Sequence, residues 1–259
     1  MEKNHSTVVW YLIVLFLLLG VISVVYLIVG ETILMPTMVV ASWTPNVAAF
    51  ITLGLIVRER GGIRTLFRRW VQVRVPMVGY LLVLAYVVIV GLSILIYRIT
   101  GGEMPDASEF RIGPLLVMIP IFLITGATGE ELGWRGLMLG ELQKKWSGLV
   151  SALIIAPFWV AFHIPLWIRP EFGYSGLPFG VFAVSTVALS VTMAYLVNKS
   201  GGSLFTVTLA HFLMNFGLAF VPALGMDAAR FFIIYAGLNV VYAVIVVAAG
   251  GKRLGRVSA

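Results

Sequence analysis

Runs of about twenty apolar residues follow one another along almost the whole chain, and they constrain the fold more than any other feature. A helix needs about 20 such residues to cross the ~30 Å hydrocarbon core of a bilayer. The chain is only 11% charged, whereas soluble domains carry about 25% charged residues. We therefore expect an all-α polytopic membrane protein that forms a single membrane domain over residues 1–259. About eight spans are predicted: 8–30, 37–57, 76–97, 112–142, 149–168, 177–197, 203–222 and 231–250.

The distribution of Lys and Arg between the loops predicts the orientation, because cytoplasmic loops carry an excess of both. On one side, the predicted loops hold only Arg98, Arg111, Arg169 and Arg230. An even number of spans puts both termini on the other side, so we expect both termini in the cytoplasm. The compact chain is typical of a prokaryotic cell membrane protein. The net charge of +7 does not indicate nucleic acid binding, because most of the basic residues lie in the cytoplasmic loops: Lys3, Arg58, Arg60, Arg64, Arg68, Arg69, Arg74, Lys144, Lys145, Lys199, Lys252, Arg253 and Arg256.

The cytoplasmic segment 58–75 has an amphipathic pattern. Its apolar residues recur at helical spacing, with arginines on another face. Such a helix lies on the membrane surface and is attracted to anionic lipids. We expect anionic lipids as partners of this segment, and a simple positive topology anchor explains the same pattern equally well.

Three charged residues interrupt the apolar run 112–142: Glu130, Glu131 and Arg135. A charge at the centre of a membrane helix costs ~2.5–3.5 kcal/mol on insertion scales. Glu131 and Arg135 are four residues apart, so they share a helix face and can pair. Glu130 points elsewhere and is the carboxylate left over.

Three more polar residues lie at a similar depth in other spans. At 1.5 Å per residue, Glu130 and His163 are ~21 Å from the cytoplasmic surface, and His211 and Asn215 are ~13–20 Å from it. Independent structural hydrogen bonds have no reason to share a depth, so we predict one common site. A carboxylate beside an imidazole can deprotonate a water, and a second imidazole with a carboxamide can stabilise an oxyanion. These groups are suited to hydrolysing an amide within the membrane.

The same residues resemble the CAAX-protease and bacteriocin-processing family of intramembrane endopeptidases, which includes the type II CAAX prenyl endopeptidases. That family carries EExxxR, FxxxH and HxxxN or HxxxD on three successive core helices. Residues 130–135 match the first motif and residues 211–215 match the third. The second motif is partial, because Trp159 stands where the family usually has Phe, four residues before His163. The resemblance covers roughly residues 112–222.

The resemblance implies an eight-helix bundle with a conical cavity open to the cytoplasm, and it implies a role for each residue. Glu130 and His163 would activate water, and His211 and Asn215 would stabilise the oxyanion. Glu131 and Arg135 would support the site. The substrate would be a membrane-associated peptide or protein, with or without a lipid anchor such as the prenyl group of a CAAX protein. The substrate-pocket candidates are Trp134, Trp159 and Phe162.

A metal-free mechanism is expected, so no cofactor is predicted. Zinc is the alternative, because imidazole and carboxylate groups are zinc ligands. In that case the ligands would come from Glu130, His163 and His211.

Other protease classes fit the residues less well. Residues 173–176 read Gly-Tyr-Ser-Gly, the GxSG of rhomboid serine proteases, but Ser175 lies in an outer loop and precedes the HxxxN sequence instead of following it. There is no HExxH motif, no Asp in any predicted span and no cysteine. A zinc protease of the HExxH type, an aspartyl dyad and a thiol nucleophile are therefore disfavoured.

Two functions without proteolysis are alternatives. Intramembrane Glu, His and Arg also form proton relays in transporters, although a relay forms a ladder across the bilayer and these residues share one depth. A membrane scaffold or immunity protein of the same family is the other alternative. The complete set of motif residues favours an enzyme.

Overall fold

The computed structural model describes residues 3–104, 112–168 and 174–256, and every regular element within these ranges is a helix. The predictions that involved Arg111, Arg169 and Gly173 fall outside the described residues. In chain order the helices are α1 (Lys3–Val29), α2 (Leu34–Ile51), α3 (Gly62–Trp70), α4 (Met77–Ile99), α5 (Ile112–Ile124), α6 (Ala127–Glu131), α7 (Leu139–Leu142), α8 (Gly148–His163), α9 (Pro165–Ile168), α10 (Phe179–Lys199), α11 (Leu204–Leu218), α12 (Phe220–Ala223) and α13 (Ala228–Gly250).

In the described part of the chain, seven helices are long and apolar enough to cross a membrane. They correspond to seven of the eight predicted spans, so an all-α polytopic membrane protein is confirmed. Side chains such as Leu17, Val21 and Ile28 are exposed on the outer surface of the bundle, where a bilayer would cover them. The seven helices are Ser6–Val29, Glu31–Ile56, Met77–Ile99, Gly148–Ile168, Phe179–Lys199, Leu204–Pro222 and Ala228–Arg253.

The predicted span 112–142 is not one continuous helix. Helix α5 ends at Ile124, and the backbone turns at Gly126, which has a φ of 56°. The chain then continues through α6, a π-helical stretch (Leu132–Met138) and α7. The predicted span 112–142 is therefore divided, because a glycine with positive φ interrupts it just before the charged motif.

Helix α10 lies at the centre of the bundle and is the most buried of the seven long helices. It packs against α8 and α13, and α4 packs on α11 and α13. Hydroxyl groups join the buried faces: Ser190 donates to the carbonyl of Ala152 (2.8 Å), and Tyr86 donates to Thr192 (2.9 Å). Because these polar groups pair with one another, they are satisfied without water.

The end of the bundle that carries the chain termini, called here the terminal face, gathers the basic loops. Asn198 donates to the carbonyl of Leu254 (3.1 Å), and Ser203 donates to that of Gln72 (2.8 Å). These contacts bring the loop between α10 and α11 to the C-terminal segment and to the end of α3. The opposite end, called the distal face, contains the α4 C-terminus and the α13 N-terminus, joined by the 2.9 Å hydrogen bond from Asp227 N to the Tyr97 hydroxyl.

The amphipathic segment forms the short helix α3, as its pattern predicted. Leu66 is buried, and Phe67 stacks on Phe50 of α2 at 5.4 Å between ring centroids. Arg69 is held at the terminal face by hydrogen bonds to the carbonyls of Gly202 (2.8 Å) and Gly136 (3.2 Å). The helix is therefore fixed to the bundle by its own side chains.

Candidate active site

The charged motif lies close against the backbone of α2. A Cβ at Gly129 would lie 2.4 Å from the carbonyl oxygen of Ser42, and a Cβ at Gly133 would lie 2.4 Å from that of Pro45. Two glycines four residues apart thus allow the backbones to approach, as in small-xxx-small helix contacts. Asn46 then spans the motif, because its amide donates to the carbonyl of Thr128 (2.7 Å) and accepts from the backbone N–H of Gly133 (3.0 Å).

Glu131 joins two of the predicted residues. Its Oε1 accepts from Arg135 Nη1 at 2.9 Å and lies 2.7 Å from His211 Nδ1. The pairing of Glu131 with Arg135 is as predicted from their spacing. Its contact with His211 was not predicted, and all three side chains are almost fully buried. Because the carboxylate accepts from Nδ1, the imidazole Nε2 is left for other partners.

Trp159 is in contact with most of the polar set. Its indole Nε1 donates to Glu130 Oε2 at 2.8 Å, and its ring meets the His211 ring edge-on at 5.8 Å between centroids. The Arg135 guanidinium lies over the indole face, 3.9 Å from the centroid, at a distance suited to a cation–π interaction. The residue first considered for a substrate pocket is therefore also a hydrogen-bond donor to the leftover carboxylate.

Three polar atoms converge beside the break at Gly126. From the position that a Cβ would take there, Asn215 Nδ2 is 2.9 Å away, Glu130 Oε1 is 3.7 Å away and His211 Nε2 is 3.9 Å away. The glycine has no side chain to fill this space. One carboxylate oxygen and two nitrogen atoms thus surround one point, and no side chain of residue 126 occupies it because that residue is glycine.

His163 lies on the same cavity at the end of α8. Its Nδ1 is 2.7 Å from the carbonyl oxygen of Trp159. A carbonyl can only accept, so Nδ1 carries the proton and a neutral His163 presents Nε2 as an acceptor. The ring packs against Phe162 and Phe182, with centroids 5.0 and 5.3 Å away, which restricts its orientation.

These residues lie on the wall of a cavity of about 540 Å³. Glu130, His163, His211 and Asn215 all contribute to it, as do Trp159 and Phe162. The rest of the lining is mostly apolar, as in most small-molecule and peptide sites. The structure therefore brings these four polar residues to one cavity.

The cavity occupies the half of the bundle remote from the chain termini. Helices α8 and α11 begin at the terminal face, and only their later parts line it, at residues 159–163 and 211–218. Among the lining residues at the distal end, Leu27 and Ile168 are 61% and 65% exposed. On the other side of the motif, Trp134, Met138 and Leu139 are fully buried, so these side chains close the cavity toward the terminal face.

The resemblance implies a cavity open to the cytoplasm, and the loop charges predict cytoplasmic termini. Among the described residues, however, the cavity lies in the half of the bundle remote from the chain termini.

Two of the remaining candidate residues, Trp134 and Ser175, do not line the cavity. Trp134 is 0% exposed and packs edge-on against Tyr11 and Phe162 at 5.8 and 6.0 Å, so it lies in the core and not on the cavity wall. Ser175, from the GxSG sequence, is exposed and is not part of the cavity lining. Of the three pocket candidates, the structure therefore brings only Trp159 and Phe162 to the cavity.

Zinc was considered as an alternative. Among the residues that the structure describes, no three His, Asp or Glu side chains are close enough to hold a metal ion. Glu130, His163 and His211 share the cavity without forming a ligand cluster, and Glu130 Oε2 and both Nδ1 atoms already have protein partners. The arrangement of these three side chains therefore does not fit a zinc site.

Sequence reasoning missed three contributors to the site. Gly126 could have been suspected only as a glycine preceding a charged motif, and Asn46 only as an amide inside an apolar span. Tyr174 lines the cavity from the loop before α10. Burial, and then the Glu130 carboxylate, raise the pKa of the Tyr174 phenol, so it remains a protonated donor at neutral pH.

Comparison with known proteins identifies relatives of the same region. Residues 112–217 match the family model described as type II CAAX prenyl endopeptidase Rce1-like. A curated protein of Methanococcus maripaludis, named CAAX prenyl protease 2, is 27% identical over 133 residues, which are 48% of this chain and 49% of that protein. The chain thus spans about half the length of the curated relative it matches. The family match contains Glu130, Glu131, Arg135, His163, His211 and Asn215.

Proposed function

We propose that the chain is an intramembrane endopeptidase of the CAAX-protease type that hydrolyses a peptide bond of a membrane-associated substrate, which the family-model match and the curated relative support. The observation that carries the proposal is the convergence of Glu130 Oε1, His211 Nε2 and Asn215 Nδ2 within 4 Å of one point beside Gly126. A general base and two candidate oxyanion partners around an unfilled space are the groups that amide hydrolysis requires.

Glu130 and His163 are the proposed activators of water. Glu130 Oε1 accepts a proton from the water, while its Oε2 is held by the Trp159 indole. His163 assists through Nε2, because its Nδ1 is occupied by the Trp159 carbonyl. General acid–base catalysis of this kind contributes roughly 10²–10⁴-fold in rate.

His211 and Asn215 are the proposed oxyanion partners. As the hydroxide adds to the scissile carbonyl, negative charge develops on its oxygen, and preorganised donors stabilise that charge. His211 presents Nε2 to this oxygen, and Asn215 presents its amide Nδ2. Glu131 fixes the orientation of the His211 ring through Nδ1, and Arg135 pairs with the same carboxylate oxygen.

In the proposed reaction, water attacks the scissile carbonyl directly, and no covalent enzyme intermediate forms. The hydroxyl of water bonds to the carbonyl carbon, and its proton passes to Glu130 or His163. The C–N bond then breaks with its electron pair on nitrogen, and the same group returns the proton to the leaving amine. The C=O bond re-forms as the amine leaves, and the products are a carboxylic acid and an amine, which become a carboxylate and an ammonium group when the acid proton passes to the amine.

The proposed side of entry follows from the charge distribution. Basic loops gather at the terminal face, so the positive-inside rule supports cytoplasmic termini and a cavity that faces the opposite side of the membrane. We therefore propose that the scissile segment enters from the non-cytoplasmic half of the bilayer. A prenylated CAAX peptide tests the family's chemistry without assuming that it is the natural substrate.

The test is cleavage of a fluorogenic farnesylated CAAX peptide by detergent-purified protein. We expect wild type and Glu141→Gln to cleave it, because Glu141 pairs with Lys144 near α7 and does not line the cavity. Glu130→Gln and His163→Ala should retain the fold, and we expect them to lose at least about 100-fold in rate. Wild-type turnover by Glu130→Gln would remove Glu130 as the base.

If this peptide is not cleaved even by wild type, the experiment is repeated with lipidated and unlipidated membrane peptides in liposomes. Failure of wild type on all of them would refute the endopeptidase proposal and favour the scaffold alternative.

A further inference from the structure

A second cavity, of about 290 Å³, lies at the terminal face, and the proposed reaction does not use it. Three arginines from distant parts of the chain line it: Arg69 of α3, Arg135 of the π-helical stretch and Arg256 near the C-terminus. Gln143 and Asn198 add amide groups to its wall. No carboxylate lines this cavity among the residues that the structure describes, and although Arg135 pairs with Glu131, the charges of Arg69 and Arg256 leave the cavity positive.

Two donors at this cavity have no acceptor. Arg135 is 1% exposed and Gln143 is 8% exposed, and neither Arg135 Nη2 nor Gln143 Nε2 has a hydrogen-bond partner among the described residues. A buried donor without an acceptor costs about 1–3 kcal/mol, and native structures contain few such groups. Both nitrogen atoms are buried in the wall of the cavity, so an anion bound there would place negative charge beside two donors that no described acceptor compensates.

The other two guanidinium groups are held in place before any ligand arrives. Arg69 donates through Nε and Nη1 to the carbonyls of Gly202 and Gly136, and Arg256 donates through Nη1 to the carbonyl of Gln143. Burial lowers the pKa of Arg69, which reflects a cation that no carboxylate compensates. Preorganised groups lose little freedom on binding, so they bind more tightly than flexible ones.

From this arrangement we propose that the terminal-face cavity is a binding site for a phosphate-type anion, either free phosphate or the phosphomonoester headgroup of a lipid. Planar guanidinium groups match the oxygens of phosphate and can bind them in pairs. Three guanidinium groups around one cavity match the charge of a phosphate dianion better than the single charge of a carboxylate ligand. The volume of the cavity admits a phosphate group together with part of a headgroup.

The site is connected to the catalytic cavity through Arg135. The same guanidinium that lines the anion cavity binds Glu131, which in turn binds His211. Any test that changed Arg135 would therefore confuse the two sites. Arg256, which is exposed, and Arg69 are the residues to change.

The experiment measures thermal unfolding of the full chain in neutral detergent. One arm titrates inorganic phosphate against sodium chloride of matched ionic strength, and the other adds phosphatidic acid or phosphatidylcholine to the micelles. Specific binding to the folded state raises the unfolding temperature. Arg256→Gln and Arg69→Gln are compared with Arg68→Gln and Lys252→Gln, which remove one exposed charge each outside the cavity.

We expect phosphate or phosphatidic acid to stabilise wild type and both controls. The concentration that gives half of the shift should rise about tenfold in Arg256→Gln, because a charge-assisted hydrogen bond is lost. Stabilisation by phosphate itself would identify a soluble anion, and stabilisation by phosphatidic acid alone would identify a lipid headgroup. No shift in either arm, or equal shifts in Arg256→Gln and the controls, would overturn the proposal, whatever the outcome for peptide cleavage.

Discussion

The indole Nε1 of Trp159 donates a 2.8 Å hydrogen bond to Oε2 of Glu130. This contact joins two helices that carry different motifs, and it leaves Glu130 Oε1 facing the space beside Gly126. The related family usually has Phe at this position, and Phe has no donor. The substitution that made the second motif partial therefore adds an interaction with the carboxylate on which the proposed reaction depends.

Trp159→Phe tests this relationship. We expect the rate of peptide cleavage to fall about tenfold, mainly in kcat, because the hydrogen bond orients Glu130 and a bond to a charged group is worth about 1.5–3 kcal/mol. In the wild-type background, Trp159→Phe should also lower the unfolding temperature. In a Glu130→Ala background the same substitution should lower the unfolding temperature much less, because the acceptor is already gone. An equal fall in unfolding temperature in both backgrounds would show that Trp159 acts by packing alone.

Arg135→Ala should act mainly through stability. Removing one partner of a buried ion pair leaves an uncompensated charge and costs about 3–5 kcal/mol, and here that charge is Glu131. Lys144→Ala is the matched control, because Lys144 is 48% exposed and its pair with Glu141 lies near the surface; we expect a cost below about 1 kcal/mol. Thermal unfolding of Arg135→Ala and Lys144→Ala measures the difference in stability between the two variants. An Arg135→Ala protein that is as stable and as active as wild type would refute the role given to the pair.

Gly126→Ala should abolish cleavage while the bundle remains folded. The new Cβ would lie 2.9 Å from Asn215 Nδ2 and would fill the space that the three polar atoms surround. The left-handed backbone adds strain of about 1–2 kcal/mol. Displacing catalytic groups by about 1 Å can cost roughly 100-fold in rate. Gly113→Ala is the control, since a Cβ there meets no atom within 4 Å, and similar activity in both variants would contradict the assigned site.

The orientation can be measured directly, because the chain has no cysteine. We expect Glu103→Cys, at the distal face, to react with a membrane-impermeant maleimide on intact cells. Lys252→Cys, at the terminal face, should react only after the membrane is opened. Both residues are exposed in the structure. The reverse pattern would place the cavity mouth in the cytoplasm and would make cytoplasmic prenylated proteins its accessible substrates.

The sequence by itself determined the helical membrane architecture and most of the polar set. Apolar runs of membrane-spanning length leave a helix as the usual solution, because backbone groups in lipid must bond within their own segment. The spacing of Glu131 and Arg135 was enough to pair them, since four residues bring two side chains to one helix face. The depth of His163, His211 and Asn215 was enough to expect that they share a site.

The tertiary structure alone decided how these residues meet. The break at Gly126 depends on a backbone angle, and the contacts of Glu131 with His211 and of Trp159 with Glu130 join residues 80 and 29 positions apart. Helical periodicity describes one helix at a time, so it carries no information on which faces of different helices come together. The shape and lining of the cavity follow from that packing, because its wall is built from faces of several different helices.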